Sequence, residues 1–356
     1  MVGEVDRGRD AFDRRAWGRA YDHLVAAAEH GPLDVEDLER LACAAYVTGR
    51  NDESSEVWAK AHQESAQVGD IARATRSAFW LAFSLLNDGQ VARGGGWIDR
   101  AQRLLDERGL ECVEQGYLRY ASALRAIFSG DGEAAYGLFH EAAGIGERFR
   151  DPELTTLARI GEGRCLIYGN EIDSGIALLD EAMVSLGENE VSVIAAGDSY
   201  CTAIEGCREL FDVGRTAEWT AALSHWCDTQ PDLVLYRGQC LIHRAEILML
   251  AGTWDEAIEQ VNRAYDRLVD PPGQQALGAA SCLRGDIHRL RGELADAERA
   301  YLEAGALGCD PQPGLALLRC AQGQLSAGDS AIRRALAEAE GPLARARLLG
   351  PFVEIT

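Results

Sequence analysis

Glycines recur along this chain at a spacing near 40 residues, and that period leaves few folds open. Gly49, Gly89, Gly130, Gly169, Gly214, Gly252, Gly292 and Gly328 are separated by 40, 41, 39, 45, 38, 40 and 36 residues. A fixed period of this size marks a repeat architecture in which each unit is one supersecondary element. Two segments show the unit plainly. They are Leu250-Ala-Gly-Thr-Trp-Asp-Glu-Ala-Ile-Glu-Gln-Val-Asn-Arg-Ala-Tyr265 and Leu290-Arg-Gly-Glu-Leu-Ala-Asp-Ala-Glu-Arg-Ala-Tyr301. In each, a helix ends at glycine and a second helix begins at once. Five residues after the glycine comes a small side chain: Ser54, Gly94, Ala135, Ser174, Ala257 or Ala297. Aligning Trp17 with Trp254 adds Ala20 for the first hairpin. Two antiparallel helices joined by a short turn approach closely there, and a large side chain would wedge them apart. Gly214 and Gly328 depart from this rule, with Trp219 and Arg333 at that place and Ala217 and Ala331 two residues earlier.

The spacing predicts a hairpin over about 4–29. First helices follow near 35–47, 71–87, 111–129, 152–168, 191–211, 233–250, 274–290 and 314–326. Second helices follow near 52–67, 91–107, 133–148, 172–186, 215–228, 254–268, 294–306 and 329–340. Breakers punctuate the links, as in Gly31-Pro32, Asp151-Pro152, Gln230-Pro231, Asp270-Pro-Pro-Gly273, Asp310-Pro-Gln-Pro313 and Gly341-Pro342. Ala257, Ile258, Val261, Ala264 and Tyr265 form one helical stripe, as do Ile176, Leu179, Met183 and Leu186. A hairpin cannot bury such a stripe alone, so neighbours must stack. Trp219 and Trp226, seven apart, read as core. No alternating pattern long enough for a strand occurs.

These units resemble the tetratricopeptide repeat. The expected fold is all-α: a right-handed α-solenoid of about nine helical hairpins of about 40 residues, running as a single domain over 1–356. Finer motifs point to a family. Gly-x-Trp-x-x-Ala-x-x-x-x-x-x-Ala-Tyr, Arg-Gly-Glu-x-x-x-Ala-Glu-x-Ala-Tyr and Asp-Pro-Pro-Gly-Gln are similar to the repeat region of large LuxR-type transcriptional regulators of actinobacteria. The opening Arg7 to Asp13, Trp17 and the stretch Ala44 to His62 carry the same resemblance. Single lysine usage (Lys60) within an Ala- and Arg-rich composition agrees with it. The resemblance implies a sensing or docking region that governs a C-terminal helix-turn-helix. No basic helix-turn-helix segment is present in 1–356, and no GxxxxGK[ST] phosphate loop. Residues Leu343 to Thr356 read as the first helix of a further repeat, so the expectation is that the natural chain continues.

The charge of -22 excludes one class of partner. Phosphate binding needs clustered Lys and Arg, so nucleic acid would be reached only through the missing domain. The acidity either keeps a large surface soluble or suits a basic peptide or protein partner. A small-molecule effector remains open. No stretch of 18 apolar residues occurs, and Met1 to Asp10 has no apolar core, so a cytoplasmic protein is expected. Ten scattered cysteines without a CxxC motif read as small buried residues in a reducing compartment, with Cys201 and Cys207 as the one pair considered for redox chemistry.

In this repeat class first helices line a concave face. On them Tyr117, Arg119, Glu162, Tyr200, Glu205, Arg237, His243, Arg244 and Arg284 are the candidate ligand or partner residues. The alternative for this set is ion pairing between repeats. His243 and Glu246 could supply two metal ligands, but no third has suitable spacing, so neither metal nor cofactor is expected. Gly94-Gly-Gly-Trp97 at a helix start reads as a close helix crossing or as exposed backbone for a ligand. No G-x-S-x-G elbow or Ser/His/Asp set stands out, so catalysis is not expected.

Overall fold

The computed structural model describes residues 3–186, 191–230 and 232–356. Pro231, one of the expected breakers, lies outside them. Among the described residues nineteen helices follow one another and no strand forms. The first ten are α1 (Glu4–Asp13), α2 (Trp17–His30), α3 (Val35–Val47), α4 (Asn51–Val68), α5 (Ile71–Asn87), α6 (Val91–Arg108), α7 (Glu114–Phe128), α8 (Gly132–Phe149), α9 (Pro152–Tyr168) and α10 (Ile172–Ser185). Then come α11 (Val193–Glu209), α12 (Val213–Asp228), α13 (Leu235–Leu250), α14 (Trp254–Leu268), α15 (Ala276–Leu290), α16 (Leu294–Ala306), α17 (Gly314–Ala321), α18 (Leu325–Glu338) and α19 (Pro342–Ile355). Odd and even helices alternate as the two arms of each repeat, and α19 follows the last pair.

One turn is used throughout. The residue between the arms takes a left-handed conformation: Arg15, Gly49, Gly89, Gly130, Asn170, Phe211, Gly252, Gly292 and Gly323. The next backbone N–H reaches five residues back to a carbonyl of the first helix, as in Arg50 to Ala45 at 2.8 Å and Glu171 to Leu166 at 2.8 Å. This closes the carbonyls that a helix end leaves open. The carbonyl of that next residue then starts the second helix, as Arg50 O accepts from Ser54 N at 2.9 Å.

Three expected turn positions are corrected by this. Gly169 has an ordinary negative φ, and Asn170 makes the turn. Phe211, not Gly214, makes the sixth turn, and Gly323, not Gly328, makes the last. Accordingly α17 ends at Ala321 and α18 begins at Leu325. With the turns placed correctly, the small-residue rule has no exception. Five residues on lie Ala20, Ser54, Gly94, Ala135, Gly175, Thr216, Ala257, Ala297 and Gly328, all buried. Ser54, Gly94, Gly175 and Gly328 meet the carbonyl of the residue seven before the turn on the first helix. A Cβ on Gly175 would lie 2.6 Å from the Gly163 carbonyl oxygen, and one on Gly328 would lie 2.9 Å from that of Ala316. Ser54 uses the approach differently, donating its hydroxyl to the Ala42 carbonyl at 2.8 Å. Gly94 is also at this crossing, with Leu86 at 2.9 Å from its would-be Cβ, whereas Gly96 meets nothing.

The described chain divides into two compact units. Unit 1 comprises Met1–Ala203 with Asp228–Leu233, and unit 2 comprises Ile204–Cys227 with Val234–Thr356. In unit 1 successive helices from α1 to α10 pack on their neighbours, and α5 also meets α7, as α7 meets α9. Aspartates start several helices by accepting a backbone N–H: Asp34 from Asp37, Asp70 from Arg73, Asp131 from Ala134 and Asp151 from Leu154. An aromatic cluster of Phe79, Trp80, Phe83, Tyr117, Tyr120 and Phe139 fills the space between α5, α7 and α8. The first hairpin meets the last segment of this unit. Trp17 Nε1 donates to Gln230 Oε1 at 3.2 Å, and Gly18 N–H donates to Asp232 at 3.3 Å. Residues more than 200 apart in sequence thus touch within unit 1.

In unit 2, α13 to α15 share one core. Leu241, Ile242, Ala245, Val261, Ala264, Leu268, Leu283 and Ile287 are buried in it. The expected stripe on α14 is that core's floor: Ala257, Val261 and Ala264 are fully buried, with Ile258 and Tyr265 partly so. Trp219 and Trp226, expected as core, are half-buried. Helix α19 packs on α17 and α18 through Leu348, with Phe352 and Ile355 beside it.

Candidate binding cavity

Unit 1 holds a cavity of about 290 Å³. Its walls come from α1 (Phe12), α3 (Glu36, Glu39, Arg40, Cys43), α4 (Trp58), α5 (Arg73, Trp80), and Ser192 with Ile194 at the start of α11. Helical spacing explains the grouping. Glu36, Glu39, Arg40 and Cys43 fall on one face of α3, and Arg73 and Trp80 fall two turns apart on α5. Trp58 and Trp80 are 5% and 7% exposed, so they are fixed walls. Arg73 ties α5 to α3, with Nε 3.1 Å from Glu39 and a terminal nitrogen 3.4 Å from Glu36. Glu36 is the exposed member and marks the mouth. Burial raises the Glu39 carboxyl above its ordinary range, against the pull of Arg73. Burial likewise pushes the Cys43 thiol up to about 12, which leaves it protonated.

A second ionic cluster adjoins the cavity. Arg76 lies over the Tyr117 ring at 3.6 Å and reaches Glu114 at 3.1 Å, Asp151 at 3.4 Å and Glu153 at 4.0 Å. The Tyr117 hydroxyl donates to Asp151 at 3.0 Å and to Glu153 at 3.2 Å. Ser192, a cavity residue, gives its backbone N–H to Glu153 at 2.7 Å. Glu36, Glu39, Arg40 and Arg73 balance to zero within the cavity. The Arg76 cluster sets three carboxylates against one guanidinium, so the two sites together carry a surplus of two negative charges. In a site of low dielectric such a surplus acts strongly on any entering cation.

The residues singled out on first helices are placed in both units, and they do not form one set. In unit 1, Tyr117 is fully buried in the Arg76 cluster and Tyr200 is buried. Glu162 is buried and pairs with His140 Nδ1 at 2.7 Å, while exposed Arg119 pairs with Glu141 at 3.0 Å. In unit 2, Glu205 is half-buried near Arg208, and Arg237 donates to the Cys227 carbonyl at 3.3 Å. His243 is buried, with Nδ1 3.5 Å from Glu246; the carboxylate of Glu246 takes Arg208 at 2.6 Å. The Glu246 carboxylate is therefore already held by a cation. Burial opposes ionisation of Glu246, but His243 and Arg208 outweigh it and hold the carboxyl below its usual range. Arg244 is exposed, and Arg284 stacks on Tyr265 at 4.5 Å and meets Glu303 at 3.5 Å. Arg119, Glu162 and Arg284 each pair with a neighbouring helix. His288, Glu293 and Asp296 also lie together, but Arg291 and Arg299 already hold the two carboxylates.

Sequence reasoning did not single out the cavity residues. A partial signal existed: Arg73, Arg76 and Trp80 at i, i+3 and i+7 on a first helix otherwise rich in aromatics. What it lacked was Ile194, which lies far away in sequence.

No protein-family model matches this sequence, and no curated protein matches it. The fold has solved counterparts. A chain of the APC/C hetero-tetramer Cut9–Hcn1 aligns with 93% of this chain and 58% of its own length, at TM-score 0.64 and 14% identity. Aspartyl phosphate phosphatase F from Bacillus subtilis aligns with 77% of this chain and 70% of its own, at 0.51 and 14%. The human IFIT1 dimer with m7Gppp-AAAA aligns with 94% and 74%, at 0.50 and 13%. This chain therefore spans under two thirds of the Cut9–Hcn1 chain it matches. At such identities the likeness establishes fold alone: the chain is an all-helical solenoid of the tetratricopeptide type. Among the described residues no helix is long and apolar enough to cross a membrane.

Proposed function

We propose that this protein is a partner-binding scaffold, not an enzyme, and that the unit 1 cavity receives a basic side chain from a peptide or protein partner. The carrying observation is the cavity, walled by two fixed tryptophans, with the adjoining Arg76 cluster and its surplus of carboxylates beside it. Its volume is at the lower end for ligand sites, which suits one side chain better than a whole cofactor. Tryptophan faces attract guanidinium and ammonium groups, and the surplus charge draws them in. The net charge of -22 favours basic partners in general. Titration with arginine-containing peptides, followed by tryptophan fluorescence, tests this. Binding is expected to weaken steeply with salt, and both Glu39→Gln and Trp80→Ala are expected to weaken it at least tenfold. Affinity indifferent to salt and to both substitutions removes the proposal.

The finer reading rests on the sequence motifs alone. We propose that the scaffold is the sensing region of a LuxR-type transcriptional regulator, in the cytoplasm of an actinobacterium, and that occupancy shifts how a DNA-binding domain outside 1–356 is presented. A ligand achieves this only by binding one conformation better than another. The full gene product decides it. A helix-turn-helix beyond Thr356, with promoter binding that responds to the peptide, is the expected result. A product without one leaves a free-standing adaptor, and a small-molecule effector is the alternative occupant.

A further inference from the structure

From sequence the ten cysteines read as small buried residues, with Cys201 and Cys207 the one pair considered for redox chemistry; the structure brings another pair together. In unit 2, Cys282 Sγ on α15 lies 3.1 Å from Cys309 Sγ, in the link after α16. The approach is built by the backbone. Gly308 is left-handed, with φ of 81°, and turns the chain so that Cys309 N–H reaches the Ala304 carbonyl at 2.9 Å. On the other side Gly278 leaves room, because a Cβ there would sit 3.0 Å from the Cys309 Cβ. Both sulfurs belong to half-buried residues, so solvent reaches the pair. Cys227 and Cys240 also interact, but both are buried, and no reagent reaches them without opening the fold.

We propose that Cys282 and Cys309 form a reversible dithiol–disulfide site that reacts with low-molecular-weight disulfides. The Cys309 thiolate attacks one sulfur of the reagent, forming a mixed disulfide and releasing one thiolate. Cys282 then loses its proton to solvent and attacks Cys309 Sγ, expelling the second thiolate. The two protein sulfurs are oxidised by two electrons, and the reagent is reduced to two thiols. Thiolate is the nucleophile in such exchange. The surroundings favour it on Cys309. A hydrogen bond from Cys282 draws the Cys309 thiol down to about 7, against burial; Arg347 on α19 assists, and Asp310 and Asp286 oppose. That same bond, with burial, pushes the Cys282 thiol up, which makes it the resolving partner. Arg347 is itself held across the link by a bond to the Gln312 carbonyl at 3.1 Å.

The whole chain is treated with oxidised glutathione and mapped as peptides without reduction. A cross-linked pair containing 282 and 309, with loss of two thiols per chain, is expected. Cys282→Ser should stop at a single glutathione on Cys309. Cys309→Ser should take up glutathione at 282 at least tenfold more slowly. Half-buried Cys112, in unit 1, supplies the reference rate. The proposal is overturned if no 282–309 cross-link forms in the unsubstituted chain. It is equally overturned if Cys309 reacts no faster than Cys112.

Discussion

Replacing Gly175 by alanine should destabilise this protein, although alanine is the better helix former. The reason is the crossing of α9 and α10. A Cβ at 175 would stand 2.6 Å from the Gly163 carbonyl oxygen, 2.7 Å from Ile167 Cγ1 and 3.1 Å from Ile167 N. None of these gives way easily: two are backbone, and Ile167 is 1% exposed. Overpacking typically costs about 1–3 kcal/mol, and backbone partners put this site at the upper end. Alanine returns about 1 kcal/mol of helix propensity. The net loss is about 2 kcal/mol, or roughly 30-fold in the opening equilibrium of this hairpin. Hydrogen exchange of the α9 and α10 amides reads that opening directly, and a repeat stack need not unfold in one step. Gly137→Ala is the control. It lies within α8 with nothing within 4 Å of its would-be Cβ, so it should stabilise by about 0.5–1 kcal/mol. If Gly175→Ala slows exchange as Gly137→Ala does, the close-crossing argument fails.

Phe211 turns left-handed at φ 58° and is exposed, so Phe211→Gly should stabilise by about 1 kcal/mol in thermal unfolding. Burial raises the Asp88 carboxyl to about 6, Asp52 adding to it and Asn51 opposing. The folded state therefore holds its proton more tightly, and stability falls as pH rises from about 4 to about 6. Asp88→Asn should gain about 2 kcal/mol at pH 7 and nothing at pH 4 in urea titrations. Asp37 has the opposite sign. Burial opposes its ionisation, but the two-pronged Arg9 bond at 2.6 and 2.8 Å and Arg40 outweigh it and lower the carboxyl. Its contribution is complete above the unfolded value near 4 and disappears as pH falls through the lower folded value, so Asp37→Asn should flatten acid unfolding there. Closing Cys282 to Cys309 should raise stability by about 3–4 kcal/mol, read as a shift in urea midpoint reversed by dithiothreitol.

The helices were legible because their causes are local. The apolar stripe of α14 and the boundaries of α3, α5, α9 and α16 follow from side-chain periodicity, glycine turns and aspartate caps, all within one hairpin. Even the close crossing was legible, as the small residue five after each turn, at Ser54, Ala135 and Ala257. The exceptions at Gly214 and Gly328 dissolved once Phe211 and Gly323 took the turn. A left-handed phenylalanine breaks local preference, so no pattern of glycines could announce it. The reading of Tyr117 as a groove residue met a different limit. Aromatic and polar residues on a first helix look alike whether they face a partner or the opposite wall. Which they face depends on the rotation that each hairpin adds to the next. Those small rotations sum over unit 1 until Trp17 meets Gln230 and Phe12 shares a cavity with Ile194. The sequence by itself determined the repeat and its turn; only the tertiary geometry, which brings together residues far apart in the chain, decided where the cavity lies.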